Sequence, residues 1–275
     1  MAESANSNLL FRLFTAVVAV PVILGLLYVA PPIAFFGLIA AATFVGGLEL
    51  FAMTHKDDKL AQIVHALSCV AVACAVYFFG DDARALLAVM FLVPSFAVLF
   101  PLVRLGNIET AALRIGAGAL GPFYVGSMTL LARMIKERGF DGSGYVLLVL
   151  MISWFADTGG YFAGRFLGKH KLYEAVSPKK TVEGALGGLA GSLVGAFIAH
   201  FVYLKSLPLS HAIPLALVAS AFGQAGDLGE SLIKRATGVK DSGALLPGHG
   251  GILDRVDAVL ICAPIVYLYT RFVLG

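Results

Sequence analysis

Acidic side chains recur in the C-terminal part of this sequence at spacings that could bring them together. Asp254 and Asp257 are three residues apart and project from one face of a predicted helix, while Asp227 lies on the predicted helix before it. Carboxylates packed together repel one another unless a cation compensates them, and oxygen ligands without zinc-type Cys/His spacing favour Mg²⁺. We therefore predict that Asp227, Asp254 and Asp257 hold Mg²⁺, with Asp227 and Asp254 as the principal ligands. The alternative is a structural salt bridge of Asp227 with Lys234 or Arg255.

The stretch "SWFADTGGYFAGRFLGKHK" carries a further acid on a helix. Asp157, Tyr161 and Arg165 are four residues apart and follow one helical face. Asp157 comes after a long apolar run, and an ionisable residue in such surroundings usually has a function. It is predicted to be a further metal ligand or a partner of the ligands. The glycines that repeat every fourth residue here favour tight helix packing.

The loop after this stretch is rich in basic and hydroxyl side chains and leads into a helix that is predicted to start near Thr181. Bases and hydroxyls ahead of a helix N-terminus form a natural phosphate site. The alternative is that the lysines signal membrane topology or contact anionic lipid. The candidate phosphate ligands are Lys169, Lys171, Ser177, Lys179, Lys180 and Thr181.

The composition of the chain predicts the elements that must position these residues. Of its 275 residues, 59% are hydrophobic and only 13% are charged, and the mean hydropathy is +0.88. Apolar runs of about twenty residues cross a bilayer as helices. We predict an all-α, polytopic integral membrane protein that forms a single domain over 1–275, with about nine transmembrane helices. The predicted spans are 10–30, 33–54, 60–79, 84–103, 113–133, 144–166, 184–204, 211–235 and 253–273.

The two halves of the chain differ in polarity. Residues 1–139 are predicted to be a helical scaffold, in which Glu49 is the exception and could serve structure or function equally. Residues 140–275 are predicted to hold the catalytic helices and loops. The first span is interpreted as a retained helix and not a signal peptide. Most of the 20 basic residues fall on the side of the N-terminus, so this terminus and the charged loops are predicted to be cytoplasmic.

The run "SLIKRATGVKDSGALLPGHGGILDRVD" resembles the signature of the phosphatidate cytidylyltransferases, also called CDP-diacylglycerol synthases: S-x-x-K-R, then K-D, then P-G-H-G-G-x-x-D-R-x-D. The stretches "DTGGYFAGRFLGKHKL" and "SPKKTVEGALGG" are similar to the family's sequence ahead of the signature. The resemblance implies transfer of a cytidylyl group from CTP to phosphatidic acid, giving CDP-diacylglycerol and pyrophosphate, with Mg²⁺ required. It also implies phospholipid biosynthesis in the bacterial cell membrane.

The resemblance gives roles to further residues of the signature. Lys234, Arg235, Lys240 and Arg255 are expected to neutralise the phosphates and the departing pyrophosphate. His249 either contacts pyrophosphate or holds the glycine loop. Asp241 and Ser231 complete the expected catalytic and substrate-binding set.

Several alternatives stay open at this stage. A second metal or a monovalent cation could accompany Mg²⁺, and the chain could form a homodimer. A CTP-dependent lipid-alcohol kinase would need similar contacts but would release CDP. A transporter of an anionic solute is the alternative from another class, although the polar residues crowd one membrane face and not the midplane.

Overall fold

The structure, a computed structural model, describes residues 20–243 and 250–274. The described residues are helical apart from one two-stranded hairpin, which confirms the predicted all-α class. The helices are α1 (20–28), α2 (Pro32–Thr54), α3 (Lys59–Phe79), α4 (Ala83–Val103), α5 (Ala111–Gly126), α6 (Thr129–Leu167), α7 (Val182–Ile198), α8 (Leu209–Ala236) and α9 (Leu253–Phe272). The hairpin strands are β1 (Lys171–Tyr173) and β2 (Ser177–Thr181).

Five helical stretches among the described residues are long and apolar enough to cross a membrane, so the chain is an all-α membrane protein. The helices α8 and α9 are not among the five. About half of the predicted first span, 10–30, lies outside the described residues. The predicted count of nine spans is therefore not confirmed. The five stretches are Pro32–Thr54, Lys59–Phe79, Ala83–Val103, Ile108–Leu167 and Val182–Tyr203.

The boundary between the predicted spans 113–133 and 144–166 is wrong. The helix α5 ends at Gly126, and α6 then begins at Thr129 and continues to Leu167 through a break at Gly139. Gly139 has φ 54° and ψ −123°, a conformation that glycine adopts readily because it has no Cβ. Apolar residues continue on both sides of Gly126, so hydropathy alone does not reveal where one helix stops.

Polar residues gather at two opposite ends of the bundle. At the first end, Arg104 after α4 pairs with Asp58 before α3 at 2.5 Å, and Lys56 after α2 donates to the carbonyl of Thr237 after α8 at 2.6 Å. At the second end, Arg133 of α6 pairs with Asp81, in the loop that follows α3. The loops after α2, α4, α6 and α8 thus share the first end.

The helices α6 and α7 pack so closely that glycines must line their contact. A Cβ on Gly191 of α7 would lie 2.2 Å from the carbonyl oxygen of Phe155, and one on Gly159 of α6 would lie 2.3 Å from that of Gly187. The antiparallel β1–β2 hairpin joins these two helices. Thr181 caps α7 as predicted, since its Oγ1 accepts from the amide of Gly184 at 3.1 Å. This close packing places the hairpin beside the C-terminal half of α6.

Candidate active site

A cavity of about 350 Å³ opens at the first end of the bundle between α6, the hairpin, α7 and α8. Its walls combine acidic and basic side chains with the glycine-rich faces of α6 and α7. The hairpin contributes the bases, because β2 runs directly into the N-terminus of α7. The predicted site residues in its walls are Asp157, Tyr161, Arg165, Lys179, Lys180, Thr181 and Asp227.

Acids and bases meet across this cavity. Lys180 Nζ on the hairpin lies 2.5 Å from Asp227 Oδ2 on α8. Asp157 of α6 is close enough to interact electrostatically with Asp227, Lys180 and Arg255. Asp257 of α9 is likewise within electrostatic reach of Asp227 and Asp157. Asp157, Asp227 and Asp257, on α6, α8 and α9, thus interact electrostatically with one another, and we call these three acids the acidic cluster.

Arg165 is held at the cavity by its own helix. Its guanidinium donates to the hydroxyl oxygen of Tyr161, one turn earlier, at 2.6 Å, and it also lies over the Tyr161 ring at 5.9 Å. The predicted helical face of Asp157, Tyr161 and Arg165 is thus a wall of the cavity. A planar guanidinium positioned in this way suits bidentate contact with a phosphate.

Asp254 lies in a hydrogen-bonded network that joins α8 to the N-terminus of α9. Its Oδ1 is 2.6 Å from Lys234 Nζ, and its Oδ2 accepts from the amide of Ser242 at 2.9 Å, from the hydroxyl of Ser242 at 2.9 Å and from the amide of Gly251 at 3.0 Å. Both carboxylate oxygens therefore have donors from the protein. Of the other two predicted metal ligands, Asp257 interacts electrostatically with Asp227.

Two acids that sequence reasoning left without a role complete this network. The Glu230 side chain is fully buried one turn before Lys234, whose Nζ lies 3.1 Å from Glu230 Oε1. Glu49 of α2 accepts hydrogen bonds from the amides of Ile252 and Leu253, and its Oε2 lies 3.0 Å from Ser242 Oγ. The i,i+4 spacing of Glu230 and Lys234 is the signal that could have indicated the first contact. The second contact links residues 49 and 253, and no local pattern indicates it.

The remaining predicted site residues lie outside the walls of this cavity. Arg235 is exposed and donates to the carbonyl of Val176 at 3.4 Å, which ties α8 to the hairpin. Lys169 also lies near the hairpin, where its amide donates to Glu183 at 3.1 Å. Exposed side chains are those of Lys169, Lys171, Lys240, Asp241 and Arg255, and partly buried ones are those of Ser177 and Ser231. His249 lies outside the described residues.

The acidic cluster has the donor chemistry that Mg²⁺ requires. Within residues 20–243 and 250–274, no three His, Cys, Asp or Glu side chains are arranged to hold a metal ion. Asp157, Asp227 and Asp257 nevertheless supply carboxylate oxygens whose mutual repulsion a divalent cation would relieve. Lys180 is the base in direct contact with this cluster. The oxygens of Asp254, by contrast, already accept from N–H and O–H donors.

The fold and the site define the class of this protein as an all-α membrane protein with a charged cavity at one end of its helix bundle. The sequence model of the cytidylyltransferase family matches residues 10–273. The chain belongs to this family.

Curated relatives named phosphatidate cytidylyltransferase share substantial sequence identity with the chain. The Staphylococcus haemolyticus protein is 46% identical over 126 residues, which cover 46% of this chain and 48% of that protein. The Bacillus subtilis protein is 42% identical over 153 residues, 56% of this chain and 57% of that protein. The Staphylococcus aureus protein is 38% identical over 183 residues, 66% and 67% respectively. The chain thus spans about half the length of the first two of these relatives.

Proposed function

We propose that this chain transfers the cytidylyl group of CTP to phosphatidic acid, forming CDP-diacylglycerol and pyrophosphate for phospholipid synthesis. The proposal is supported by membership of the cytidylyltransferase family and by the similarity to relatives named phosphatidate cytidylyltransferase. The observation that carries it is the single cavity in which Asp157 and Asp227 line the same walls as Arg165, Lys179 and Lys180. Such a mixture suits a polyphosphate that is bound by bases and by a metal ion.

The proposed reaction needs charge compensation more than it needs a base. An oxygen of the phosphate monoester in phosphatidic acid, which is largely ionised at neutral pH, forms a bond to the α-phosphorus of CTP. The bond from that phosphorus to the bridging oxygen breaks, and pyrophosphate leaves with the electron pair. Two unit charges 4 Å apart repel by about 4 kcal/mol at an effective dielectric constant of 20. The basic wall formed by Arg165, Lys179 and Lys180 opposes this repulsion.

Mg²⁺ is part of the proposal. When bound, the ion supplies positive charge beside the reacting phosphates. Asp227 and Asp257 are the favoured ligands, with Asp157 nearby, because these three acids form the cluster at the cavity. Asp254 stays a predicted ligand. To bind the ion, its oxygens must first lose their contacts with Lys234 or with the amides of Ser242 and Gly251. A second metal or a monovalent cation, and a homodimer, stay predictions.

The proposed orientation places the cavity at the cytoplasmic side of the bacterial cell membrane. It is supported by the positive-inside rule and by the loops that share the first end of the bundle. Single cysteines can test it in intact cells. A membrane-impermeant maleimide should leave Lys171→Cys unlabelled and label Lys205→Cys, because these residues follow α6 and α7 and lie at opposite ends. The reverse pattern would mean that the orientation is inverted.

The reaction is tested with purified protein in detergent micelles that contain phosphatidic acid, CTP and Mg²⁺. Pyrophosphate and CDP-diacylglycerol should form in equal amounts. Asp227→Asn and Asp257→Asn should each lower the rate by at least about a hundredfold, the scale of losing one strong electrostatic stabiliser. Asp254→Asn should lower it similarly if this residue is a ligand. The matched control is Asp141→Asn, because Asp141 is exposed on α6 near the second end.

Each other outcome of this assay has a distinct meaning. Release of CDP in place of pyrophosphate, when a lipid alcohol replaces phosphatidic acid, would indicate a lipid-alcohol kinase. Solute flux in proteoliposomes without CTP would indicate a transporter. Unchanged rates in the Asp227 and Asp257 variants would contradict the metal assignment. Binding of Mn²⁺ without substrates can be measured by electron paramagnetic resonance and tests the ligands independently of turnover. Asp227→Asn should weaken the binding of Mn²⁺.

A further inference from the structure

Glu49 is a buried acid of the predicted scaffold that contacts the loop before α9. Its side chain projects from α2, and the residue is 8% exposed. Oε1 accepts from the amide of Ile252 at 3.0 Å, and Oε2 accepts from the amide of Leu253 at 2.8 Å. These two amides lie at the first turn of α9, where a helix has no partners of its own for its N–H groups. Glu49 therefore caps α9 from another helix.

Gly243 and Gly251 both lie against the Glu49 carboxylate, where a residue with a side chain would not fit. A Cβ on Gly243 would lie 2.6 Å from Glu49 Oε1, and one on Gly251 would lie 2.4 Å from Glu49 Oε2. Gly250 has φ +77°, a conformation that L-residues rarely adopt, and it turns the chain just before these contacts. The close approach that glycine permits here is to Glu49.

Ser242 connects Glu49 to the candidate active site. Its hydroxyl lies 3.0 Å from Glu49 Oε2 and 2.9 Å from Asp254 Oδ2, and its amide also donates to Asp254 at 2.9 Å. Asp254 in turn pairs with Lys234 of α8 at 2.6 Å. A chain of contacts thus runs from α2 through Ser242 to α8 and α9, two of the three helices that carry the acidic cluster.

We propose that Glu49 is a positioning residue of the active site. It fixes the N-terminus of α9 and, through Ser242, the carboxylate of Asp254, and so sets where Asp254 and Asp257 stand relative to α8. Glu49 does not line the cavity beside the hairpin, so it acts through the loop and not on a substrate. The expected effect of Glu49 on turnover rests on the proposed function. The contact between Glu49 and the amides of Ile252 and Leu253 can be measured independently of that function.

The test compares Glu49→Ala, Glu49→Gln and Glu49→Asp in the full-length protein. Hydrogen–deuterium exchange at Ile252 and Leu253 should accelerate in Glu49→Ala, because both amides lose their acceptor. The kcat of Glu49→Ala and Glu49→Gln should fall by about 10- to 100-fold, the scale observed when a group that orients a ligand is removed. The KM for CTP should stay within about twofold, since the cavity walls keep their residues. Glu49→Asp keeps the charge and should recover part of the kcat.

Thr43→Ala is the matched control, because Thr43 is a fully buried polar residue of the same helix. It should leave both exchange at residues 252–253 and kcat unchanged. Unchanged exchange in Glu49→Ala would overturn the proposal, and so would faster exchange with an unchanged kcat. If the wild-type protein does not transfer a cytidylyl group, the proposed function fails, and exchange alone then decides whether Glu49 anchors the loop.

Discussion

Lys180 and Asp227 join the β-hairpin to α8 across the cavity, with 2.5 Å between Nζ and Oδ2 and each side chain 29% exposed. An ion pair that is exposed to this extent contributes only about 0–1 kcal/mol to stability. The ion pair between Lys180 and Asp227 can therefore break at little cost, and each side chain can then take another partner. We infer that Lys180 can turn to a substrate phosphate while Asp227 becomes available to a metal ion.

The variant Lys180→Gln tests this exchange. The KM for CTP or for phosphatidic acid should rise by about 10- to 100-fold, the equivalent of the 1.5–3 kcal/mol of a hydrogen bond to a charged group. The substrate whose KM rises is the one whose phosphate Lys180 contacts. Lys205→Gln serves as control, since Lys205 is exposed beyond α7 at the second end. Unchanged KM values for both substrates would mean that the pair with Asp227 is structural.

The pair formed by Lys234 and Glu230 should be important for stability, because the Glu230 side chain is fully buried. Removing one partner of a buried pair leaves an uncompensated charge and costs about 3–5 kcal/mol. Lys234→Met should therefore lower the unfolding temperature in detergent markedly, whereas Lys240→Met at an exposed site should not. The double variant Glu230→Gln/Lys234→Met should recover part of the loss. Equal losses in the single and double variants would show that the pair itself contributes little.

The contact between α6 and α7 predicts a strong effect of one methyl group. In Gly191→Ala the added Cβ would lie 2.2 Å from the carbonyl oxygen of Phe155, so the two helices must move apart. Because both helices line the cavity, activity should fall by at least about tenfold together with the unfolding temperature, as overpacking costs about 1–3 kcal/mol. Gly116→Ala on α5 meets nothing within 4 Å and should be neutral or slightly stabilising. Similar behaviour of the two variants would contradict close packing at Gly191.

The helices could be predicted from the sequence because apolar length is a local property. The spans expected at 33–54, 60–79 and 84–103 match α2, α3 and α4 within a few residues. The α5–α6 boundary could not be predicted in this way. It depends on a turn at residues 127–128, which does not interrupt the hydrophobic run, whereas the break at Gly139 falls in the charged stretch between the two predicted spans.

The members of the candidate site were partly predictable, but their partners were not. The regular spacing of Asp157, Tyr161 and Arg165 indicated a shared face, and the cavity lies along it. The sequence favoured Asp254 over Asp257 as the partner of Asp227, whereas in the structure Asp254 is held by Lys234 and the loop and Asp257 interacts electrostatically with Asp227. That distinction depends on the contacts that Ser242 and Gly251 make with Asp254. The anchor of this loop on Glu49 is almost two hundred residues away in the chain and has no sequence signal.

The acid sensitivity of the fold should depend on His55, which follows α2 and is buried. Burial, together with the charges of His65 and Arg114, lowers the pKa of this imidazole to about 4, although the charge of Asp58 raises it. In the unfolded chain the pKa is about 6.5, so the unfolded state binds a proton more readily. The stability that comes from neutral His55 is therefore fully present above about pH 6.5 and is lost as the pH falls toward about 4, by at most about 3 kcal/mol.

His55→Gln removes the titrating group and keeps a polar side chain beside Thr54, whose hydroxyl lies 3.0 Å from His55 Nδ1. The unfolding temperature of the wild-type protein in detergent should fall between pH 7.5 and pH 5, and that of His55→Gln should fall less. The difference between the two proteins at each pH isolates His55 from the carboxylates, which titrate mainly at lower pH. If the unfolding temperatures of the two proteins changed in parallel over this pH range, His55 would have an ordinary pKa in the folded protein and would not account for the acid sensitivity.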